Sequence, residues 1–320
     1  MQQEEIRRRR SVSFVVLVVA ALAGTTIGPR AGWTEVPTTG SVVLAAELSS
    51  NTIEVTVGEK NFTTYRFDAK QKYPYFWPVR GPISARSLTT ESSEPYPHHH
   101  SLFFGCDRVN GWNFWQEAND RGQIVSRGPT ITERGPDRIV IQDICDWRPP
   151  APNTPVITER RELIIRIPSP SLRFIDFSTT LTANEDVRIE KTNHSLFAVR
   201  VERHLAADRG GTMVNAEGLK GEKATFGKKS VWMDCSGDNG WGTEGIAIFD
   251  HPSNRWFPTE WFTRDYGFFS PTPMNWLDAD GFRLKKGETL TLHYRVVVHV
   301  GNDWEAELAK LFEEWKNEKL

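Results

Sequence analysis

The sequence predicts an all-β protein, a large antiparallel β-sandwich closed by one C-terminal amphipathic helix. Many segments alternate apolar and polar residues with period two, which points successive side chains to opposite faces of a strand. Clusters of Gly, Pro, Asn and Asp separate these segments as turns do. Helical spacing is clear in only one stretch, at the chain's end. With 320 residues the chain can bury a sizeable core, and it has neither a fixed-period repeat nor a low-complexity tract.

The chain begins MQQEEIRRRRSVSFVVLVVAALAGTT, a cationic stretch (Arg7 to Arg10), an apolar core (Phe14 to Ala23) and small residues. Residues 1–23 read as a signal peptide, since an apolar core of about ten residues falls short of the roughly 20 a membrane span needs. Export to the periplasm or cell exterior is expected, with a flexible segment over 24–40 and a single sandwich domain over 41–320, and no stable span in the mature chain. Cleavage would remove four Arg and two Glu, taking the formal charge from −2 to −4. Neither value suits a nucleic-acid binder. Three cysteines, Cys106, Cys145 and Cys235, allow at most one intramolecular disulfide, and without a Cys-x-x-Cys pair a thiolate zinc site is unsupported.

Strands are expected in TIEVTV, RIVIQDI, ITERRELIIRI, LRFIDFSTTL, VRIEKT, LFAVRVERHL, GIAIFD and LTLHYRVVVHV. Asn110-Gly111 suits the positive φ angles of a type I′ turn. RPPAPNTP reads as a short loop and WMDCSGDNGWG as a Gly-rich polar turn. In NDWEAELAKLFEEWKNEKL, Trp304, Leu308, Leu311, Phe312 and Trp315 fall on one helical face, with Asn302 or Asp303 placed to cap it.

Two stretches carry candidate chemistry. In SEPYPHHHSLFFG, Pro97 biases Tyr96 towards an extended conformation, so His98 to His100 enter as a strand. Regular alternation then sends His98 and His100 one way and His99 the other; adjacent imidazoles share a site only where the backbone bulges or turns. The bland reading is a solvated turn ahead of an apolar strand. The second stretch, GIAIFDHPSNRWFPTEWFTRDYGFF, sets Asp250, His251, Asn254, Arg264 and Asp265 among Trp256, Trp261, Phe262 and Tyr266. That composition suits an aromatic-walled pocket, or a surface loop whose charges pair locally. In VRVERHL alternation makes Glu202 and His204 neighbours on one strand face. Phosphate-loop, dinucleotide-fold, zincin, nucleophile-elbow and EF-hand motifs are absent from the sequence.

Together, YPHHHSLFFGCDRVNGWNFW and WMDCSGDNGWGTEGIAIFDHPSNRWFPTEWFTRDYGFF resemble the PmoA-like family, a set of uncharacterised domains that carries the label methane oxygenase. His98, His99, Ser101, Val109, Asn110, Gly111, Phe114 and Trp115 match its first motif, and Asp250, His251, Pro252, Asn254, Trp261, Arg264, Asp265, Tyr266 and Gly267 its second. Pro95 and Tyr96 stand where relatives have Asp and His, His100 where they have Arg or Lys, and Asn113 replaces an Asp. The oxygenase label does not suit this chain: a membrane monooxygenase subunit needs several spans, and the sequence has one apolar stretch, at its start. The resemblance implies a supersandwich similar to aldose-mutarotase-like carbohydrate-active folds.

Three functions follow as expectations. The leading one is an exported enzyme acting on a carbohydrate as hydrolase, lyase or epimerase. His98, His99 and His251 would exchange protons, Asp250 or Glu202 would orient a histidine, Arg264 would hold an oxyanion, and Trp115 and Trp261 would stack on the sugar. Asn110, Asn254, Asp265, Tyr266 and His204 complete the expected contacts. The alternatives are a protein holding a divalent metal (zinc, copper or iron) through His98, His99, His204 and His251, with Asp250 as carboxylate, and a non-catalytic glycan-binding module.

Overall fold

The computed structural model describes residues 43–116, 118–301 and 305–319. The expected signal peptide, the segment 24–40, the proposed caps Asn302 and Asp303, and Trp304 lie outside the described residues. Among the described residues no helix is long and apolar enough to cross a membrane.

The chain begins with β1 (Leu44–Leu48), β2 (Thr52–Val57), β3 (Lys60–Arg66) and β4 (Tyr75–Val79). A small hairpin of β5 (Glu91–Ser93) and β6 (Tyr96–His100) precedes β7 (Leu102–Cys106). Next come β8 (Gln123–Ser126), β9 (Thr130–Arg134) and the long strands β10 (Arg138–Arg148), β11 (Ile157–Ser169) and β12 (Leu172–Ala183). After β13 (Val187–Ile189), β14 (Ser195–Arg200) and β15 (Thr212–Asn215) lies a one-turn helix, α1 (Glu222–Thr225). The chain closes with β16 (Trp232–Asp238), β17 (Thr243–Asp250), β18 (Trp261–Arg264), β19 (Phe268–Pro271), β20 (Phe282–Leu284), β21 (Thr289–Val300) and α2 (Glu305–Trp315).

Among the described residues two large antiparallel sheets result, beside two-stranded pairs of β5 with β6 and β13 with β20. Sheet S1 runs β1-β2-β3-β4-β7-β14-β19-β18, and sheet S2 runs β15-β16-β17-β21-β12-β11-β10-β8 with β9 also on β10. They pack face to face. Phe104 of β7 lies 5.5 Å from Phe177 of β12, Phe177 lies 4.8 Å from Phe197 of β14, and Phe197 stacks 5.0 Å from Tyr294 of β21. The all-β sandwich with its C-terminal helix is thus as the alternation requires. On β17, Ile246 and Ile248 enter the core between the sheets, whereas Ala247 and Phe249 join Leu308, Phe312 and Trp315 of α2 on the outer face of S2. The amphipathic helix therefore covers one side of one sheet, as its spacing predicts.

Several local expectations need correction. WMDCSGD is strand β16 rather than a turn, because Met233 and Cys235 face the core while Trp232 packs beneath α2. VRIEKT contributes only Val187–Ile189, and β14 stops at Arg200, so Glu202 and His204 lie in a turn and do not share a strand face. All three cysteines are buried and free, so no disulfide forms among them. At Asn110 and Gly111 both φ angles are positive (51° and 81°), as the type I′ turn demands.

The core is not wholly apolar. Glu159 and Arg161 occupy inward positions of β11 at 0% and 1% exposure, joined by a 2.7 Å ion pair. Trp147 Nε1 and the Thr179 hydroxyl donate to the same carboxylate at 2.8 and 2.9 Å. Nη1 of Arg161 donates to the Pro74 carbonyl at 3.1 Å, and the Tyr65 hydroxyl of β3 donates to Asp143 of β10 at 2.8 Å. Removing one partner of such a pair strands a charge away from water. Glu159→Gln is expected to cost about 3–5 kcal/mol in urea unfolding, and Glu159→Leu combined with Arg161→Met much less than the sum of the two single changes. Additive losses would show that the pair is not coupled.

Candidate functional site

The candidate site lies on the outer face of S1. Since Phe104 points inward, alternation turns Phe103 outward, where it stacks on Tyr73 at 5.0 Å. Arg200 lies opposite Phe268 in the β14–β19 ladder, one residue beyond the inward Val199–Phe269 pair. Tyr75, opposite Phe103, completes an outward row of aromatic residues crossed by a cation.

The β5–β6 hairpin sits on this face. The Tyr73 hydroxyl donates to the His98 carbonyl at 2.6 Å, His100 stacks 4.9 Å from Tyr75, and Glu91 accepts from the Tyr75 hydroxyl and, at 2.6 Å, from Arg66. In the ladder Glu91 pairs with His100 and Ser93 with Tyr96. The single Ser92, at φ 51°, therefore faces Pro97, His98 and His99. This bulge is the departure from regular alternation that adjacent histidines require. The His98 and His99 rings meet edge to face at 4.5 Å. Ser101, at φ 60°, then turns the chain down into β7, its hydroxyl bonded to Thr89 at 2.7 Å.

His99 is 4% exposed and stacks 4.3 Å from Phe268. Tyr96 stacks on His99 and on Tyr266, each at 5.1 Å, and Arg200 lies 4.3 Å over the Tyr266 ring. His194 approaches His98 at 5.7 Å and stacks 6.0 Å from Trp115. Nδ1 of His99, Nε1 of Trp115, and Nε and Nη1 of Arg200 are buried without a hydrogen-bond partner. Burial, helped by the like fields of His98, Arg200, His194 and His100, pulls His99 down to about 2, so its imidazole is neutral. Burial also pushes Tyr266 up to about 12.

Of the second motif Tyr266 joins this cluster, followed closely by Phe268, but His251, Asp250 and Asn254 do not, which corrects the expectation that His251 shares a site with His98 and His99. His251 continues the outward register of Ala247 and Phe249 on S2, and its ring meets Trp315 of α2 at 4.9 Å and His293 at 5.8 Å. His98 and His251 thus occupy opposite outer faces of the sandwich. Asp250 accepts from Asn254 at 2.7 Å and from the Thr259 amide at 3.3 Å; it orients no histidine, and burial pushes it up to about 7. Asn254 also donates to the His293 carbonyl and accepts from the His293 amide, clamping the loop to β21. Arg264 pairs with Glu222 at 3.0 Å and lies over Phe262 and Phe226, while Asp265 accepts from the Glu222 amide. These groups fasten α1 to β18.

Trp115 and Trp261 are fully buried, Trp261 donating to the Ser230 carbonyl, so neither offers a face to a sugar. Asn110 closes its turn against Glu185 and the Arg188 amide. The Glu202 amide donates to the Leu88 carbonyl, and burial raises its carboxyl. His204 feels Glu244 and Arg86, and burial lowers it. Of the four expected metal ligands, His98, His99, His204 and His251, His98 and His99 meet while His251 lies against Trp315, and among the described residues no group of three or more His, Cys, Asp or Glu could hold a metal ion. Sequence reasoning missed His194, Phe268 and Arg200 as partners of His98 and His99. For Arg200 a signal existed: a cation ending SLFAVR, a strand otherwise free of charge.

The profile of a family described as "Family of unknown function (DUF6807)" matches residues 52–313. A comparison with curated proteins finds no match. Among solved structures, the chain is similar to a heparan sulfate lyase HepC mutant from Pedobacter heparinus at 11% identity and a TM-score of 0.44, over 83% of this chain and 37% of that one. It is also similar to a putative aldose 1-epimerase from Escherichia coli K12 (11% identity, TM-score 0.35, 81% and 98% covered) and to a galactose 1-epimerase from Lactobacillus acidophilus (9% identity, TM-score 0.39, 81% and 98% covered). The chain spans little more than a third of the lyase, and likenesses this loose carry no functional argument. The expected kinship to a family of uncharacterised domains holds at that level; the methane-oxygenase label finds no support.

The neutral state of His99 has a thermodynamic signature. Unfolded, His99 takes up a proton near pH 6.5; folded, it does so only near 2. Between those values the unfolded chain binds more protons, so the stabilisation is complete above pH 6.5 and is lost as pH falls. From pH 7 to pH 5 the wild type is expected to lose about 2 kcal/mol more unfolding free energy than His99→Asn. Urea unfolding at the two pH values checks this, and equal losses would show that His99 titrates normally.

Proposed function

The chain belongs to the family of unknown function DUF6807, and from that premise we propose that it acts on a carbohydrate at the imidazole and aromatic cluster on the outer face of S1. The carrying observation is His99: a neutral imidazole, its Nδ1 without a partner, held between Phe268 and Tyr96 with His98 edge-on at 4.5 Å. His99, made a weak base by its burial, can hydrogen-bond a sugar hydroxyl through Nδ1 and orient it, while the adjacent His98 exchanges the proton. The accessible parts of half-buried Tyr96 and Tyr266 supply apolar ring edges and hydroxyls for contact with a sugar. A hydrolase, a lyase and an epimerase each need a group that takes up a proton and a group that returns one. Export follows from the N-terminal residues 1–23 read as a signal peptide and suits a protein that meets glycans outside the cytoplasm.

The test compares the two outer faces. Turnover is measured by reducing-end release, by absorbance of an unsaturated product and by anomer or epimer exchange, over a panel of neutral and acidic oligosaccharides. His99→Gln and His98→Gln are expected to lower turnover about 100-fold or more, whereas His251→Gln, beneath α2, stays within about twofold of wild type. Full activity in His99→Gln would remove this site; loss in His251→Gln alone would move the chemistry to the other sheet.

A further inference from the structure

Among the described residues four arginines are buried: Arg161, Arg173, Arg200 and Arg295. Three have their guanidinium groups satisfied. Arg161 pairs with Glu159, Arg295 with Asp176 and Glu318, and Arg173 donates to the carbonyls of Arg80 and Gly81. Arg200 differs. At 8% exposure it forms no ion pair among the described residues, and its Nε and Nη1 are buried with no acceptor. Its contact is the Tyr266 ring, 4.3 Å below. A cation over a ring recovers only part of what desolvating the cation costs. The protein keeps an uncompensated charge beside a neutral His99 and half-buried Tyr96, on the outer face of S1 under the β5–β6 hairpin.

We infer that the ligand of this site carries an anionic group, a carboxylate or a sulfate ester on a sugar, which seats against Arg200. The inference rests on the carbohydrate reading and narrows it to acidic sugars. An oxyanion at Arg200 supplies the acceptors that Nε and Nη1 lack, and such charge-assisted hydrogen bonds are among the stronger polar contacts available. It also fixes the orientation of the sugar ring relative to His98 and His99, because Arg200 is itself held in place: its amide donates to the Ser101 carbonyl and its carbonyl accepts from the Thr90 amide, both at the turn beneath the histidines.

The experiment titrates the full mature chain with D-glucuronate, glucose 6-sulfate and D-glucose by calorimetry, and follows its melting temperature in sodium acetate and sodium sulfate. At least one acidic sugar is expected to bind about tenfold or more tightly than glucose, and which one names the anion. In Arg200→Gln the preference should fall to within about twofold; in Arg200→Lys, which keeps the charge, part of it should remain, and that variant decides the matter should the first not fold. Equal binding of all three sugars by the wild type overturns the anion seat and leaves the carbohydrate reading standing. Stabilisation by acetate or sulfate that Arg200→Gln abolishes, without binding of any sugar, keeps the anion seat and overturns the carbohydrate reading. Silence to every probe overturns both.

Discussion

Arg161 is the constraint around which the sandwich is organised. A guanidinium between two sheets has no access to water, and in such a medium it persists only with its donors satisfied. Its partners come from three places: Glu159 two residues away on the same strand, Tyr65 on the opposite sheet at 3.4 Å, and the Pro74 carbonyl just ahead of β4. Tyr65 in turn donates to Asp143, which also accepts from the Ser126 hydroxyl. Apolar rings slide past one another at small cost; this network has one arrangement in which every buried charge is met. It ties S1 to S2 in a fixed register.

That fixed register reaches the candidate site through a few covalent steps. Pro74, held by Arg161, lies between Tyr73 and Tyr75, and these two residues dock the β5–β6 hairpin. Tyr73 holds the His98 carbonyl, and Tyr75 stacks on His100 while bonding Glu91. The bulge of Pro97, His98 and His99 is therefore seated on residues whose backbone is pinned from the core side. A loop in their place would let the imidazoles swing; this hairpin keeps His98 and His99 in ring contact and turns His99 onto Phe268. Preorganisation of this kind holds a hydrogen-bonding imidazole in one position.

Much of the fold was legible because its signals are local. Alternation in TIEVTV, LRFIDFSTTL and LTLHYRVVVHV marks strands wherever one side faces core and the other does not, and Asn110-Gly111 writes its own turn. The failures share one cause. Polar letters at inward positions, as in Asp143, Glu159 and Arg161, look like a solvated face, and only the opposite sheet reveals that Tyr65 and Pro74 complete them. The same blindness ran the other way at the site. The polar and aromatic letters after Asp250 resemble a pocket, yet Arg264 and Asp265 are spent on fastening α1, and Asn254 on fastening β21. His99, Tyr96, Tyr266, Arg200 and His194 come from three separate stretches, and no periodicity within one stretch can report that they meet. Tyr96 places a ring against both His99 and Tyr266.

Charge pairing separates the two outer faces of the sandwich. Beneath α2, Arg295 is matched by Asp176 and Glu318, Arg166 joins the same two carboxylates, and the Trp315 ring lies 5.2 Å from the Arg295 guanidinium. Each charge there has an opposite charge, and the ensemble fastens a helix end to a sheet. On the far side, Arg200 and His99 are also buried, yet Nε and Nη1 of Arg200 and Nδ1 of His99 have no hydrogen-bond partner. A fold able to neutralise Arg161 and Arg295 so fully has the means to neutralise Arg200, for Asp208 and Glu202 both contribute to its field without reaching it. Stability alone would favour closing that gap or replacing the cation with an apolar residue of similar volume. Leaving it open makes sense where the missing partner arrives from outside, so that binding recovers the free energy that folding leaves unclaimed.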